Sequence, residues 1–294
     1  MKISPENISQ SNKEIFGEWI DCPSKFTSSF NNAKPFEYII IDNFLKEEIA
    51  NKISNEYPSN LDDYHKYNNP LEIKYAYDNI PNMSTDIQNI FYSLCSDKVL
   101  DALKIITANE KLEYDPTCHG GGLHIHPNNG RLHMHLDYEK HPVLENKQRY
   151  LNVILYLTKD WKAEWGGETE LWNEDMTECQ AKSPVIFNTA LIFKTTEKSW
   201  HGLPEPIKCP EDKFRKTLAF YYLVPLENDN IEKNEKENNN EEKIKKGAGD
   251  DGYRTKAVFT KRPQDPYDPL IEKLYAIRPF RRITKEDLDR YIWN

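Results

Sequence analysis

Between Glu113 and Pro225, short runs of apolar and β-branched residues alternate with turn clusters, and the spacing predicts strands. The clearest runs are 131–137, 150–157, 168–172, 184–187, 190–194 and 215–224. Turn clusters stand at Gly120-Gly121-Gly122, Asn128-Asn129-Gly130, Gly166-Gly167 and Asn173-Glu174-Asp175. Such even spacing favours a sandwich or barrel over an alternating βαβ fold. Upstream the period changes. Phe36 to Ile41 predicts a strand, Asp42 and Asn43 are candidate N-caps, and Phe44, Leu45, Ile49 and Ile53 recur at helical spacing up to Pro58. Ile87, Ile90, Phe91 and Leu94 after Ser84, then Val99, Leu100, Leu103 and Ile106 after Ser96, predict two more helices. Leu270, Leu274 and Ile277, and later Leu288, Ile292 and Trp293, return to a helical period in the tail.

These patterns divide the chain into five parts: an N-terminal segment 1–34, a mostly helical support region 35–109, a β core 110–225, an insert 226–252 and a strand/helix tail 253–294 that packs on the core. The first ordered unit is expected near Pro35. Residues 226–252 carry nine acids and five lysines among asparagines, with almost no apolar side chains. Such a stretch cannot offset its ordering entropy, so a disordered insert is expected there.

Composition narrows the class. Apolar residues are only 38% of the 294, but 17 Tyr, 12 Phe and 6 Trp bury enough area each to build a core. The net charge of -9 and pI near 5.5 argue against binding nucleic acid through bulk electrostatics. No apolar run is long enough for a membrane-spanning helix, and the polar stretch Met1 to Glu14 does not read as a secretory signal. The five cysteines are scattered, with no Cys-x-x-Cys, and read as reduced thiols of a cytoplasmic protein.

The candidate chemistry lies in the histidines, seven of whose eight fall between 119 and 201. His135-Leu136-Asp137 ends a predicted strand, and residues two apart on a strand share a face, so this pair can grip one ion. A second histidine from elsewhere completes a 2-His-1-carboxylate site for iron(II) with positions left open. His201, in Ser199-Trp200-His201-Gly202, is the only histidine downstream of His141. Three features follow in order: the β run Arg149 to Leu157, with Asn152 and Tyr156 on one face; the turn in Trp165-Gly166-Gly167-Glu168; and the strand Arg215 to Tyr222, opening on a cation, with Arg215 and Thr217 on one face.

Over residues 110–225 this combination resembles the iron(II)/2-oxoglutarate-dependent dioxygenases, in particular their prolyl-hydroxylase-like branch. Tyr150 to Trp161 and the following Gly-Gly turn look like that branch's central strand and turn, and Pro35 to Leu45 is similar to its N-terminal strand-helix entry. The resemblance implies a mainly β fold with flanking helices around a double-stranded β-helix, or jelly roll. It implies iron(II) on His135, Asp137 and His201, and 2-oxoglutarate as cosubstrate. Arg215 matches the cation that meets the distal carboxylate of 2-oxoglutarate, and Tyr156 a supporting hydroxyl; Thr217 and Asn152 are further candidate contacts. The segment from His201 to Arg215 is longer than is common in the family, which leaves Lys216 as the alternative cation. The implied reaction hydroxylates an unactivated C–H of a protein side chain or small metabolite with O2, releasing succinate and CO2, with ascorbate a candidate reductant.

Rival readings remain open on the residues alone. His133-x-His135-x3-Glu139 is half of a cupin metal motif, which would make a metal enzyme independent of 2-oxoglutarate, and a jelly roll can also serve as a non-catalytic binding protein. His124, His126 and His133 are candidates for the substrate entrance, against the plainer reading of surface histidines. His119-Gly-Gly-Gly122 looks like an esterase oxyanion loop, but no Gly-x-Ser-x-Gly accompanies it, so a hydrolase is set aside.

Overall fold

The computed structural model describes Ile3, residues 15–226, 247–248 and 253–292, with side chains as far as Leu288 in the last helix. The expected insert therefore falls almost wholly outside the described residues.

Among the described residues, thirteen antiparallel strands form one sheet that curls toward a barrel, in the order β1-β10-β7-β12-β5-β3-β6-β11-β8-β9. These are β1 (Tyr38–Ile41), β3 (Glu72–Tyr77), β5 (Gly122–His126), β6 (Arg131–Leu136), β7 (Lys147–Tyr156), β8 (Thr169–Trp172), β9 (Cys179–Ser183), β10 (Ala190–Lys194), β11 (His201–Leu203) and β12 (Arg215–Pro225). Off that path, β2 (His65–Asn69) pairs with β3, β4 (Glu113–Tyr114) with β12, and β13 (Val258–Phe259) with β6. The result is a double-stranded β-helix core with helices on one face.

Helices 85–94 and 97–107 start where serines cap them: Ser84 accepts from the Ile87 N–H and Ser96 from the Val99 N–H. Helix 85–94 buries Ile87, Ile90, Phe91 and Leu94, one stripe at helical spacing, against the outer face of β12, where Phe91 meets Phe220. The Tyr222 hydroxyl donates to the Leu94 carbonyl at 2.7 Å and ties helix to sheet. The inner faces of β7, β8 and β10 supply a second, smaller core of Tyr156, Leu171, Leu191 and Phe193.

Several expectations need correction. Order begins before Pro35: Trp19 stacks on Phe44 and donates to its carbonyl at 2.8 Å, and residues 24–31 are helical. The support region also holds a hairpin, β2 and β3, whose polar residues carry little apolar alternation. The strand expected at 184–187 is a turn, and the strand lies just before it at Cys179–Ser183. Pro184 removes a ladder donor, and Asn188 turns the chain at φ 59°. In the tail, β13 pairs with β6, and Leu274 of helix 269–277 joins Phe259 and Leu71. Among the described residues no helix is long and apolar enough to cross a membrane.

Candidate active site

Antiparallel pairing of β6 with β11 sets His135 directly opposite His201, and Asp137 follows just beyond the end of β6. One ligand atom from each of the three lies within 4.8 Å of the others, and all three residues are buried. Both imidazoles are oriented from behind. His135 Nδ1 lies 3.0 Å from the His133 carbonyl and His201 Nδ1 lies 2.9 Å from the Ser199 carbonyl. A ring that donates from Nδ1 leaves Nε2 as the free acceptor. The two Nε2 atoms face the Asp137 carboxylate at 4.0 and 3.9 Å. Phe259 of β13 stacks on His135 at 5.2 Å, and Phe193 sits 4.5 Å from the His201 ring.

Burial, reinforced by the neighbouring His201, lowers the His135 pKa to about 3. Burial alone would raise Asp137, but Arg149, His201 and His135 together hold it at about 2. The set is two neutral imidazoles and one carboxylate, the donor chemistry that binds a divalent iron ion. Metal-binding histidines are commonly fixed in this way through the other ring nitrogen. The residues therefore fit the group.

Arg149 was not singled out by its sequence pattern. Its Nη1 lies 3.1 Å from Asp137 Oδ1, its Nη2 donates to the His119 carbonyl at 2.9 Å, and its guanidinium is sandwiched between the Tyr138 and Tyr221 rings at 3.6 and 3.3 Å. Asn152 donates to the other Asp137 oxygen at 3.3 Å, and its own Oδ1 is buried without a partner.

A cavity of about 760 Å3 opens from these residues, with room for a cosubstrate and a second molecule. Arg215 forms part of its wall and is 2% exposed. Its Nε donates to the Gly167 carbonyl at 2.7 Å and its Nη2 to Thr169 Oγ1 at 3.1 Å. No acidic partner meets this guanidinium among the described residues. Burial accordingly lowers its pKa, an unfavourable setting for a cation that an incoming carboxylate would relieve. Thr217, two residues along β12, lines the same wall, while Lys216 points to the opposite face with its ammonium 5.2 Å from the Tyr57 ring.

The remaining expected residues are placed unevenly. Tyr156 is fully buried beneath Arg215, 5.0 Å from ring to guanidinium, and its hydroxyl sits 3.0 Å from Thr169 Oγ1. The hydroxyl that reaches the wall is Thr169, a residue the sequence reading did not single out. His124 and His126 are not surface residues. They lie on β5 opposite Thr217 and Arg215, on the cavity wall, and both His126 ring nitrogens are buried without a partner. Burial, with Arg215 and Lys74 nearby, pushes His126 well below the usual imidazole range, so it is neutral. His133 is not on the cavity wall; its Nδ1 lies 2.8 Å from the Tyr275 hydroxyl of helix 269–277.

Residues 121–223 match the family described as the 2OG-Fe(II) oxygenase superfamily. No curated protein matches the chain in sequence. Among solved structures, the chain is similar to a Trichoplax adhaerens prolyl hydroxylase in complex with a hypoxia inducible factor oxygen degradation domain peptide fragment. Identity there is 15% over 70% of this chain and 91% of that one, with a TM-score of 0.53. A prolyl-4-hydroxylase from Pseudomonas putida covers 70% and 99% of the two chains at 13% identity and a TM-score of 0.49. HygX from Streptomyces hygroscopicus, with nickel, 2-oxoglutarate and hygromycin B bound, covers 68% and 86% at 14% identity and a TM-score of 0.45.

Proposed function

We propose that this chain, whose residues 121–223 match the 2OG-Fe(II) oxygenase superfamily, is a 2-oxoglutarate- and iron(II)-dependent dioxygenase that hydroxylates an unactivated C–H of a protein side chain or small metabolite. The balance is one substrate C–H, one O2 and one 2-oxoglutarate giving one alcohol, one succinate and one CO2. This reading is favoured over the cupin and non-catalytic readings because the His-Asp-His set shares its cavity with Arg215, which meets no acid among the described residues.

His135, Asp137 and His201 would hold iron(II), which when bound supplies the oxygen-activating chemistry at its open positions. The chain's own residues bind and orient. Arg149 and Asn152 hold the Asp137 carboxylate from two sides. Arg215 receives the distal carboxylate of 2-oxoglutarate, with Thr169 and Thr217 as hydroxyl donors and Tyr156 holding Thr169 in place. Phe193, Phe259, Tyr138 and Tyr221 keep water from the polar centre they surround. Five free thiols and no disulfide among the described residues support a cytoplasmic setting.

One observation carries the reading: a buried His-Asp-His set shares a single cavity with a buried arginine that lacks an acid. The test is succinate formation from 2-oxoglutarate with iron(II), ascorbate as reductant and O2. Succinate should form in the wild type and vanish in His135→Ala and His201→Ala. Equal turnover in those variants would overturn the assignment.

A further inference from the structure

The chain carries a net charge of -9, yet the cavity reverses that sign. Its walls hold six arginines and lysines against Glu72, Asp78 and Asp137. Two of those acids are already engaged, Glu72 by Lys74 at 2.9 Å and Asp137 by Arg149 at 3.1 Å. Arg215 and Arg149 belong to the site described above. Three of the other cations, Lys256, Arg278 and Arg282, come from the C-terminal tail, and none has an acidic partner among the described residues.

Arg278 is the most telling of the three. It is half-buried at the end of helix 269–277, its guanidinium packs 5.2 Å from the Phe259 ring, and that ring stacks on His135 at 5.2 Å. The guanidinium is thus within about 10 Å of a residue at the metal centre. Burial already lowers its pKa, opposed by Glu72 and Tyr67. An arginine held this way presents unspent donors to the cavity, and a planar fork of donors suits carboxylate and phosphate oxygens. Arg282, which is exposed, and Lys256, just before β13, line the same cavity.

We propose that the tail is the substrate-recognition element: a small molecule bearing a carboxylate or phosphate docks its anionic group on Arg278, Lys256 and Arg282 and presents a C–H to the metal centre. This rests on the oxygenase reading for the fate of the molecule, but not for its binding. The short span from Arg278 to His135 requires a compact substrate whose anionic group lies only several bonds from the attacked carbon. It disfavours an acidic polypeptide, whose charges would spread outside the cavity.

The experiment uses the full chain and a defined panel: L-aspartate, L-glutamate, O-phosphoserine, glycerol 3-phosphate and glucose 6-phosphate. Each is set beside its amide or dephosphorylated counterpart, together with a glutamate-rich decapeptide. Two measurements are made on wild type, Arg278→Ala and Arg278→Lys: the rise in melting temperature of the metal-free protein, and succinate formation above the substrate-free rate with iron(II) and 2-oxoglutarate. At least one small anion should raise the melting temperature while its neutral counterpart does not. Arg278→Ala should weaken that response about tenfold or more, with partial recovery in Arg278→Lys. Equal responses to neutral counterparts, equal responses in Arg278→Ala, a response to the decapeptide alone, or no response to any compound would each overturn the proposal. An Arg278-dependent melting shift without any succinate would sink the oxygenase reading and leave the anion site standing.

Discussion

Truncating Arg215 separates the two candidate cations of β12 and puts a magnitude on the cosubstrate site. Arg215 is 2% exposed and spends two donors on Gly167 and Thr169, leaving the rest for a carboxylate. Removing one partner of a buried charge pair costs about 3–5 kcal/mol. At about 1.4 kcal/mol per decade that is a loss on the order of 100- to 1000-fold or more in 2-oxoglutarate affinity. Tyr156→Phe removes a hydroxyl that acts through Thr169, worth about 1 kcal/mol, or somewhat under tenfold. Lys216→Ala removes a half-buried cation from the opposite face and should change affinity by less than about threefold. Arg215→Lys keeps the charge, loses the planar fork and should fall between the extremes.

The assay is the apparent KM for 2-oxoglutarate from succinate release, paired with calorimetric titration of 2-oxoglutarate into iron-loaded protein without oxygen. Iron stoichiometry and melting temperature are recorded for every variant, so that a collapsed cavity is not mistaken for a lost contact. Two results would refute the reasoning. One is a folded Arg215→Ala protein with KM within about threefold of wild type. The other is a Lys216→Ala loss as large as that of Arg215→Ala, which would mean that the cosubstrate approaches from the other face of β12.

Three further outcomes follow from the geometry. Gly167 sits at φ 85°, and a Cβ there would lie 3.1 Å from Arg215 Cδ, so Gly167→Ala should strain the turn and raise the 2-oxoglutarate KM while leaving iron binding intact by calorimetry. Asp137→Ala should abolish stoichiometric iron(II) binding and leave Arg149 a buried cation without its acid, lowering the melting temperature as well. Asp115 is fully buried and accepts from the Thr117 hydroxyl and N–H, the His119 N–H and the His141 ring; burial would raise its pKa, but these bonds to His141 and Thr117 lower it. Its folded pKa lies below its unfolded value, so its stabilisation is complete above pH ~4 and is lost as pH falls through the folded value. Asp115→Asn should therefore lower stability at neutral pH by about 1.5–3 kcal/mol and flatten the acid limb of a denaturant-midpoint-versus-pH curve.

What was legible in the sequence followed strict periodicity. Helices 85–94 and 97–107 carry a cap and an unbroken apolar stripe, and the pattern places both. The i, i+2 rule puts Arg215, Thr217, Ala219 and Tyr221 on one face of β12, and all four line the cavity. The β2–β3 hairpin was invisible because Lys66, Tyr67, Asn68 and Lys74 carry no alternation of polar and apolar residues; one of its faces is cavity wall and wants polar side chains. For the same reason His124 and His126 looked like surface residues. A polar residue facing a polar cavity and one facing water have the same pattern, and only the pairing of β5 with β12 tells them apart.

Arg149 shows where periodicity itself misleads. Asn152, Ile154 and Tyr156 of β7 face inward, so strict alternation puts Arg149 on the outer face with Leu151 and Val153, under the helices. A cation there would be buried without compensation. Register resolves the conflict. Tyr222 of β12 pairs with Leu151, but Leu223 pairs with Arg149, so Tyr150 is an extra residue in β7. A bulge of this kind flips the alternation beyond it and often sits beside an active site. It turns Arg149 inward onto Asp137, between Tyr138 and Tyr221. The interior thus has Arg149 beside the candidate metal ligands and Arg215 elsewhere on the cavity wall, and the two have opposite electrostatic situations. Arg149 has its acid, and the two tyrosines with Asp137 raise its pKa despite burial, whereas Arg215 has none among the described residues and its pKa is lowered. Of these two only the second is left wanting an anion, and that asymmetry supports the proposal that Arg215 rather than Arg149 receives the carboxylate of the cosubstrate.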